Sequence, residues 1–174
     1  DSNFMKVTLY MAMSLNGYIA EENGNEDFLS HANWKKFCNL AQEYGNFIVG
    51  RKTYEAVKKW NEGFGFDDLK GIQKVIISQN PDYEVDEDYT LATSPKDALA
   101  KLQDFESVLV TGGSTINTAF IKENLLDEVI LNIEPTLIGK GVPLFARDDF
   151  SKKLDFVSSG ESNGILTLHY KVLK

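Results

Sequence analysis

Strands alternating with helices and closing on a hairpin predict an α/β fold for this chain. The expected core is a mostly parallel sheet covered on both faces, with a C-terminal antiparallel hairpin. Three observations carry the prediction. Val7–Met13, Lys74–Ser78 and Ser107–Thr111 are short apolar runs rich in β-branched residues, the pattern of strands buried on both faces. Helical patterns lie between them. At the end, Leu166, Leu168, Tyr170 and Val172 alternate onto one face, after Lys153–Ser159 and a turn placed at Gly160–Gly164.

The elements follow in order. Asn16-Gly17 marks a turn after the first strand. Glu21–Asp27 is polar, acidic and glycine-containing, and reads as a loop in which Glu26 and Asp27 are solvated. Trp34, Phe37, Cys38, Ala41 and Tyr44 recur at helical spacing, and Gly45 suits the C-cap. Phe47–Val49 is a short strand ending in Gly50, followed by a short helix over Thr53–Lys59. After Lys74–Ser78 comes a turn at Asn80-Pro81, then a short strand at Tyr89–Ala92. Ser94, Pro95 and Asp97 form a helix start: an N-cap, a proline at the first helical position and an early acid. That helix carries Ala98, Leu99, Leu102 and Phe105. Ser107–Thr111 runs into Gly112-Gly113, a helix follows over Thr115–Asn124, and Asp127–Ile133 is a strand that Pro135 ends.

Composition sets the outer limits. A chain of 174 residues is expected to be one domain, 1–174, large enough to bury a core. Asp1–Phe4, ahead of Met5, reads as a remnant or a short extension. Lys+Arg number 18 and Asp+Glu 26, a net charge of −8, which argues against a duplex nucleic-acid binder while leaving room for a local basic pocket. Cys38 is the only cysteine, so no intramolecular disulfide and no Cys-rich zinc site can form, and two histidines cannot make a three-histidine metal site. No metal is expected. The sequence has no apolar run long enough for a membrane helix and no signal-peptide pattern at its start, so the expectation is a cytoplasmic protein with no membrane partner.

Two segments carry anion chemistry. In Ser107–Thr115 (SVLVTGGST) a strand meets two glycines and then a helix, so backbone N–H groups and the positive helix end can receive a phosphate at close range. The alternative is a tight turn that holds no ligand. In Phe47–Glu55 (FIVGRKTYE), Arg51 and Lys52 sit at a helix start, where the dipole disfavours cations, which points to an anion between them. The alternative is a solvated basic turn. Ser78 closes its strand with a hydroxyl that fits a phosphate or an ordinary turn. Glu134 precedes Pro135 at a strand end and is the one candidate acid–base group, the alternative being a solvated edge carboxylate. His31 reads as a helix-start residue, His169 as a hairpin surface residue and Trp34 as core or cleft wall. No protein nucleophile is required, which suits a cofactor that carries the chemistry.

Together these pieces resemble the dihydrofolate reductase-like superfamily, in the branch of the riboflavin biosynthesis reductase (RibD C-terminal) domain. MAMSLNGYIA at 11–20, GRKTYE at 50–55, VTGGST at 110–115 and LLDEVILNIEPTLIGKGVPLF at 125–145 match the family's segments in order and spacing, across nearly the whole chain from Met5. The resemblance implies a three-layer α/β/α sandwich and an NADPH-dependent reductase. It places Gly50, Arg51, Lys52 and Thr53 at the cofactor phosphates, with Arg51, Lys52 and Ser78 at the adenosine 2′-phosphate. It places Thr111, Gly112, Gly113, Ser114 and Thr115 at the pyrophosphate, and Ala12 and Ile19 at the nicotinamide. Asn16 and Trp34 are the candidate substrate-binding residues and Glu134 the candidate catalytic one. Two departures matter: Asn16 replaces the family's SLDG acid, and the first helix has no acid before Glu43, so folate is not the expected substrate. A small heterocyclic or carbonyl-containing substrate is expected, and a homodimer built on Ile130–Leu144 and the hairpin. The alternative is a nucleotide-binding module that keeps the fold without the chemistry.

Overall fold

The computed structural model describes residues 4–60 and 65–174. Of the Asp1–Phe4 extension, residues 1–3 lie outside the described residues. An eight-stranded sheet has the order β5-β4-β3-β6-β1-β7-β10-β9. Its members are β1 (Lys6–Ser14), β3 (Asn46–Gly50), β4 (Gln73–Ile77), β5 (Tyr89–Ala92), β6 (Ser107–Val110), β7 (Glu128–Glu134), β9 (Leu154–Ser162) and β10 (Ile165–Val172). The pairings from β5 through β7 are parallel, and β10 joins β7 and β9 antiparallel. A separate two-stranded sheet pairs β2 (Tyr18–Glu21) with β8 (Gly141–Pro143).

Strand alternation builds two cores. Val7, Leu9, Ile48, Val75, Val108 and Val110 face one way, against α3 (Pro95–Ala100) and α4 (Ser114–Lys122). Tyr10, Phe47, Val49, Ile76 and Leu109 face the other, against α1 (His31–Tyr44) and α2 (Arg51–Val57). Because neighbouring residues on each strand point to opposite faces, runs such as FIV must be apolar throughout. The result is the three-layer α/β/α sandwich.

Gly45 and Ser94 end and start their helices as the sequence signals, and Ser30 adds a cap not read from the sequence. Ser30 caps α1 by accepting from the Asn33 N–H, and Gly45 ends it at φ 77°. Ser94 caps α3, with Pro95 at its start. That helix stops at Ala100, so Leu102 and Phe105 lie beyond it in turns. The hairpin turn is also shorter than expected. Gly160 lies within β9, and the two-residue turn is Asn163-Gly164, both at positive φ. Residues of β9 are exposed throughout, and a bulge between His169 and Tyr170 breaks the one-sided alternation of β10. His169 is half-buried and contacts Glu128 Oε1 at 2.5 Å, so it is not a free surface residue. Sequence periodicity did not reveal β2 and β8, since each is three or four residues long.

Candidate functional site

Gly50, Ile77, Ala92 and Val110 end their parallel strands on one edge of the sheet, and a cleft of about 1150 Å³ opens beyond them. Ligands of open α/β sheets bind at this edge because strand ends and helix starts converge there. The β3–α2 and β6–α4 connections meet closely. Gly50 N–H donates to the Gly112 carbonyl at 2.8 Å. A Cβ on Gly50 would lie 2.6 Å from Ile116 Cγ1, and one on Gly113 would lie 3.2 Å from Thr53 Oγ1. Gly112 sits at φ 96°, a backbone region that side chains disfavour. The glycines therefore let two turns pack together and leave their backbone open to a ligand.

At this junction Gly113 is the N-cap residue of the nine-residue α4 and offers no side-chain cap. Ser114 Oγ is buried without a hydrogen-bond partner. A buried orphan hydroxyl is costly unless a ligand satisfies it. Arg51 Nη1 meets Glu55 at 3.2 Å, and the Tyr83 hydroxyl donates to the same carboxylate at 2.7 Å. These bonds, Tyr83's first, hold the Glu55 carboxyl below its ordinary range. Lys52 is exposed at the cleft rim and has no ion pair among the described residues. Ser78 Oγ accepts from the Asn80 N–H at 3.2 Å and retains its own proton to donate.

The other end of the cleft is aromatic. Trp34 stacks near Phe66 and meets Trp60 edge-on, with ring centroids 6.1 and 5.8 Å apart. Polar groups line its floor. Tyr10 hydroxyl donates to Asn33 Oδ1 at 2.5 Å and accepts from Asn132 Nδ2 at 2.8 Å. Burial, with Glu134 adding to it, raises the Tyr10 hydroxyl well above the usual tyrosine range. Glu26 corrects an expectation: within the run 21–27 it alone is sheltered from solvent, and it lines the cleft. Burial pushes its carboxyl up to about 7.

The cleft thus gathers most of the residues singled out in the sequence. From the first strand pair come Ala12 and Ile19; from β3 and α2 come Gly50, Arg51, Lys52 and Thr53. Ser78 and Trp34 line it, as do Thr111, Gly113, Ser114 and Thr115. Three others stand outside its lining. Gly112 contributes the carbonyl bonded to Gly50. Asn16 Oδ1 accepts from Ser14 Oγ and the Ile138 N–H, while its Nδ2 donates to the Ile138 carbonyl, which ties the end of β1 to the loop after β7. Glu134 is 2% exposed and accepts from Ser30 N–H at 3.1 Å and Ser30 Oγ at 2.8 Å. Sequence reasoning missed Tyr10, Glu26, Asn33 and Phe66. Asn33 left a signal: it lies in register with Phe37 and Ala41 on the buried stripe of α1, where an amide needs a partner. Among the described residues no cluster of three or more His, Cys, Asp or Glu could hold a metal, and no helix is long and apolar enough to cross a membrane.

Comparison with known proteins agrees with this geometry. The family model for the RibD C-terminal domain matches residues 5–164. The uncharacterized protein YwjB of Bacillus subtilis strain 168 is 29% identical over 171 residues, covering 95% of this chain and 97% of the relative. Among solved structures, Acinetobacter baumannii RibD superposes with a TM-score of 0.81 at 18% identity, over 99% of this chain and 59% of that one. Dihydrofolate reductase from Enterococcus faecalis, complexed with NADP(H), gives a TM-score of 0.72 at 19% identity, over 97% of each chain. The fold is therefore dihydrofolate reductase-like.

Proposed function

The chain belongs to the RibD C-terminal domain family, and from that premise we propose that it is an NADPH-dependent reductase acting on a small heterocyclic or carbonyl-containing substrate. The observation that carries the reading is the buried, unpartnered Ser114 hydroxyl at the uncapped start of α4, beside the two glycines. Such a site fits a pyrophosphate, whose oxygens satisfy Ser114 and the free N–H groups together. Thr111, Gly112, Gly113 and Thr115 complete that cradle. Arg51, Lys52 and Ser78 supply donors for the adenosine 2′-phosphate, Arg51 sharing its charge with Glu55. Ala12 and Ile19 offer the close, apolar wall that a nicotinamide ring needs, and the E. faecalis neighbour binds NADP(H) in the same fold.

When bound, NADPH supplies the hydride. Trp34, Trp60 and Phe66 exclude water and stack the substrate plane. Glu134 faces Ser30, so in this reading the proton comes from Glu26, the sheltered cleft carboxyl that holds a proton near neutral pH. A second reading, a module that binds NADP(H) without turnover, draws on Asn16 and Glu134, since both direct their polar atoms into the scaffold. The reductase reading includes a cytoplasmic homodimer joined through the exposed hairpin, where Phe156 is 61% exposed. Sedimentation at micromolar concentration checks that state.

The testing experiment is a fluorescence titration of Trp34 and Trp60 with NADPH and, separately, NADH. NADPH binds with clear preference, and Arg51→Ala or Lys52→Ala cuts that preference about tenfold or more, the loss of one charge-assisted bond at about 1.5–3 kcal/mol. No binding at submillimolar cofactor, or a preference that both variants leave intact, refutes the reading. Oxidation of NADPH across a carbonyl and pteridine panel separates the reductase from the binding module.

A further inference from the structure

A chain of polar groups runs along the side of the sheet that α1 covers, from β10 to the cleft floor, and its direction is set at the β10 end. Lys36 Nζ can only donate, and it donates to Thr167 Oγ1 at 3.0 Å. Thr167 therefore turns its own proton onward, to Asn132 Oδ1 at 2.6 Å. That contact fixes the Asn132 amide, whose Nδ2 faces the Tyr10 hydroxyl at 2.8 Å. Having accepted there, Tyr10 donates to Asn33 Oδ1 at 2.5 Å, and Asn132 Nδ2 reaches the same oxygen at 3.3 Å. The Asn33 amide is thus oriented by four residues. Its oxygen is committed inward, and its Nδ2 has no protein partner among the described residues. Asn33 lines the cleft, and its Nδ2 is not among the buried orphan atoms, Ser114 Oγ and Asn117 Oδ1, so it opens into the cleft.

We infer that Asn33 is a specificity-determining residue: its Nδ2 donates to an acceptor edge, a carbonyl or unprotonated ring nitrogen, of a planar substrate stacked at Trp34. Lys36, Thr167, Asn132 and Tyr10 are positioning residues that hold the donor outward. A ligand presenting an N–H donor at that edge leaves two donors facing one another, each desolvated and unpaired, and is rejected. The inference deepens the proposed reductase reading, because it takes the aromatic end of the cleft as the substrate site.

Two bicyclic probes of similar size test it: coumarin, whose lactone edge only accepts, and indole, whose ring N–H only donates. Titrations are followed by the tryptophan indole signals and by the Asn33 side-chain NH2 signal, assigned through its loss in Asn33→Asp. The wild-type protein binds coumarin about tenfold or more tighter than indole, with the Asn33 NH2 signal moving as coumarin is added. Asn33→Asp places a carboxylate oxygen at the cleft and reverses the preference. Thr167→Val, outside the cleft, releases the Asn132 amide and narrows the preference to about threefold or less. This second variant carries the test if Asn33→Asp does not fold.

Binding of neither probe, coumarin binding that leaves the Asn33 signal in place, or a preference that survives these variants overturns the inference. NADPH titration of the same samples separates the two claims. Cofactor binding with no probe discrimination sinks the acceptor-edge inference alone. Probe discrimination without cofactor binding sinks the reductase reading alone.

Discussion

Ser30 joins two parts of the site, and its removal has a magnitude that the structure supplies. Its Oγ accepts from the Asn33 N–H at 3.1 Å, capping α1, and donates to Glu134 Oε2 at 2.8 Å. Loss of a serine cap costs about 1 kcal/mol. Loss of a hydrogen bond to a carboxylate costs about 1.5–3 kcal/mol, and Glu134, 2% exposed, has no access to water in exchange. Ser30→Ala is therefore expected to destabilise the fold by about 2–4 kcal/mol. At about 2–4 °C per kcal/mol for a chain of this size, the melting temperature falls by roughly 5–15 °C. Urea unfolding with far-UV circular dichroism measures it. Ser30→Thr keeps the oxygen and loses much less. In a Glu134→Gln background Ser30→Ala costs less than in the wild type, with a coupling of about 1 kcal/mol or more. A loss under about 1 kcal/mol for Ser30→Ala, or additive effects in the cycle, refutes the reasoning that Glu134 is a structural anchor of the first helix.

Three further perturbations follow from the same geometry. Glu26 carries a carboxyl pushed up to about 7, against about 4.3 for an ordinary glutamate. Between those values the folded protein holds a proton that the unfolded chain has released, so stability falls as pH rises through that window and levels off above about 7. Unfolding curves at several pH values are expected to lose this slope in Glu26→Gln, and parallel profiles for the two proteins contradict the placement. Gly50→Ala puts a Cβ 2.6 Å from the stiff, β-branched Ile116, so it should cost about 1–3 kcal/mol and weaken cofactor binding, and Ile116→Ala should recover part of the loss. Denaturant titration of the pair and the double variant reads this, and no recovery means that the clash is not the cause. Ser114→Ala removes a buried hydroxyl that has no partner, so thermal stability should hold or rise while NADPH binding weakens. A loss of stability with unchanged binding would place Ser114 in the scaffold instead.

Much of the fold was legible because its signals are local. A strand buried on both faces has to be apolar at every position, so FIV and VII betray themselves without any knowledge of their neighbours. Ser94 and Gly45 terminate helices through bonds to residues three or four positions away, whereas the Ser30 cap went unread. The glycines of the two strand-to-helix turns were legible for the same reason, and they located one end of the cleft. Short elements were not legible. β2 and β8 pair across 120 residues or more, and no periodicity can form in three or four positions.

The alternation of strands and helices, the glycine-bearing turns and the resemblance to a reductase family are written in the order of the residues alone. Which polar residues face the cleft depends on how distant segments pack. Glu26 and Glu134 are both carboxylates in loops or at strand ends, and nothing local separates them. Packing shelters the first in the cleft wall and turns the second against Ser30. The direction of the Asn33 amide is likewise set by a lysine, a threonine, an asparagine and a tyrosine drawn from α1 and three strands. Hydrogen-bond polarity is a property of the assembled network, so it comes into existence only when distant segments meet.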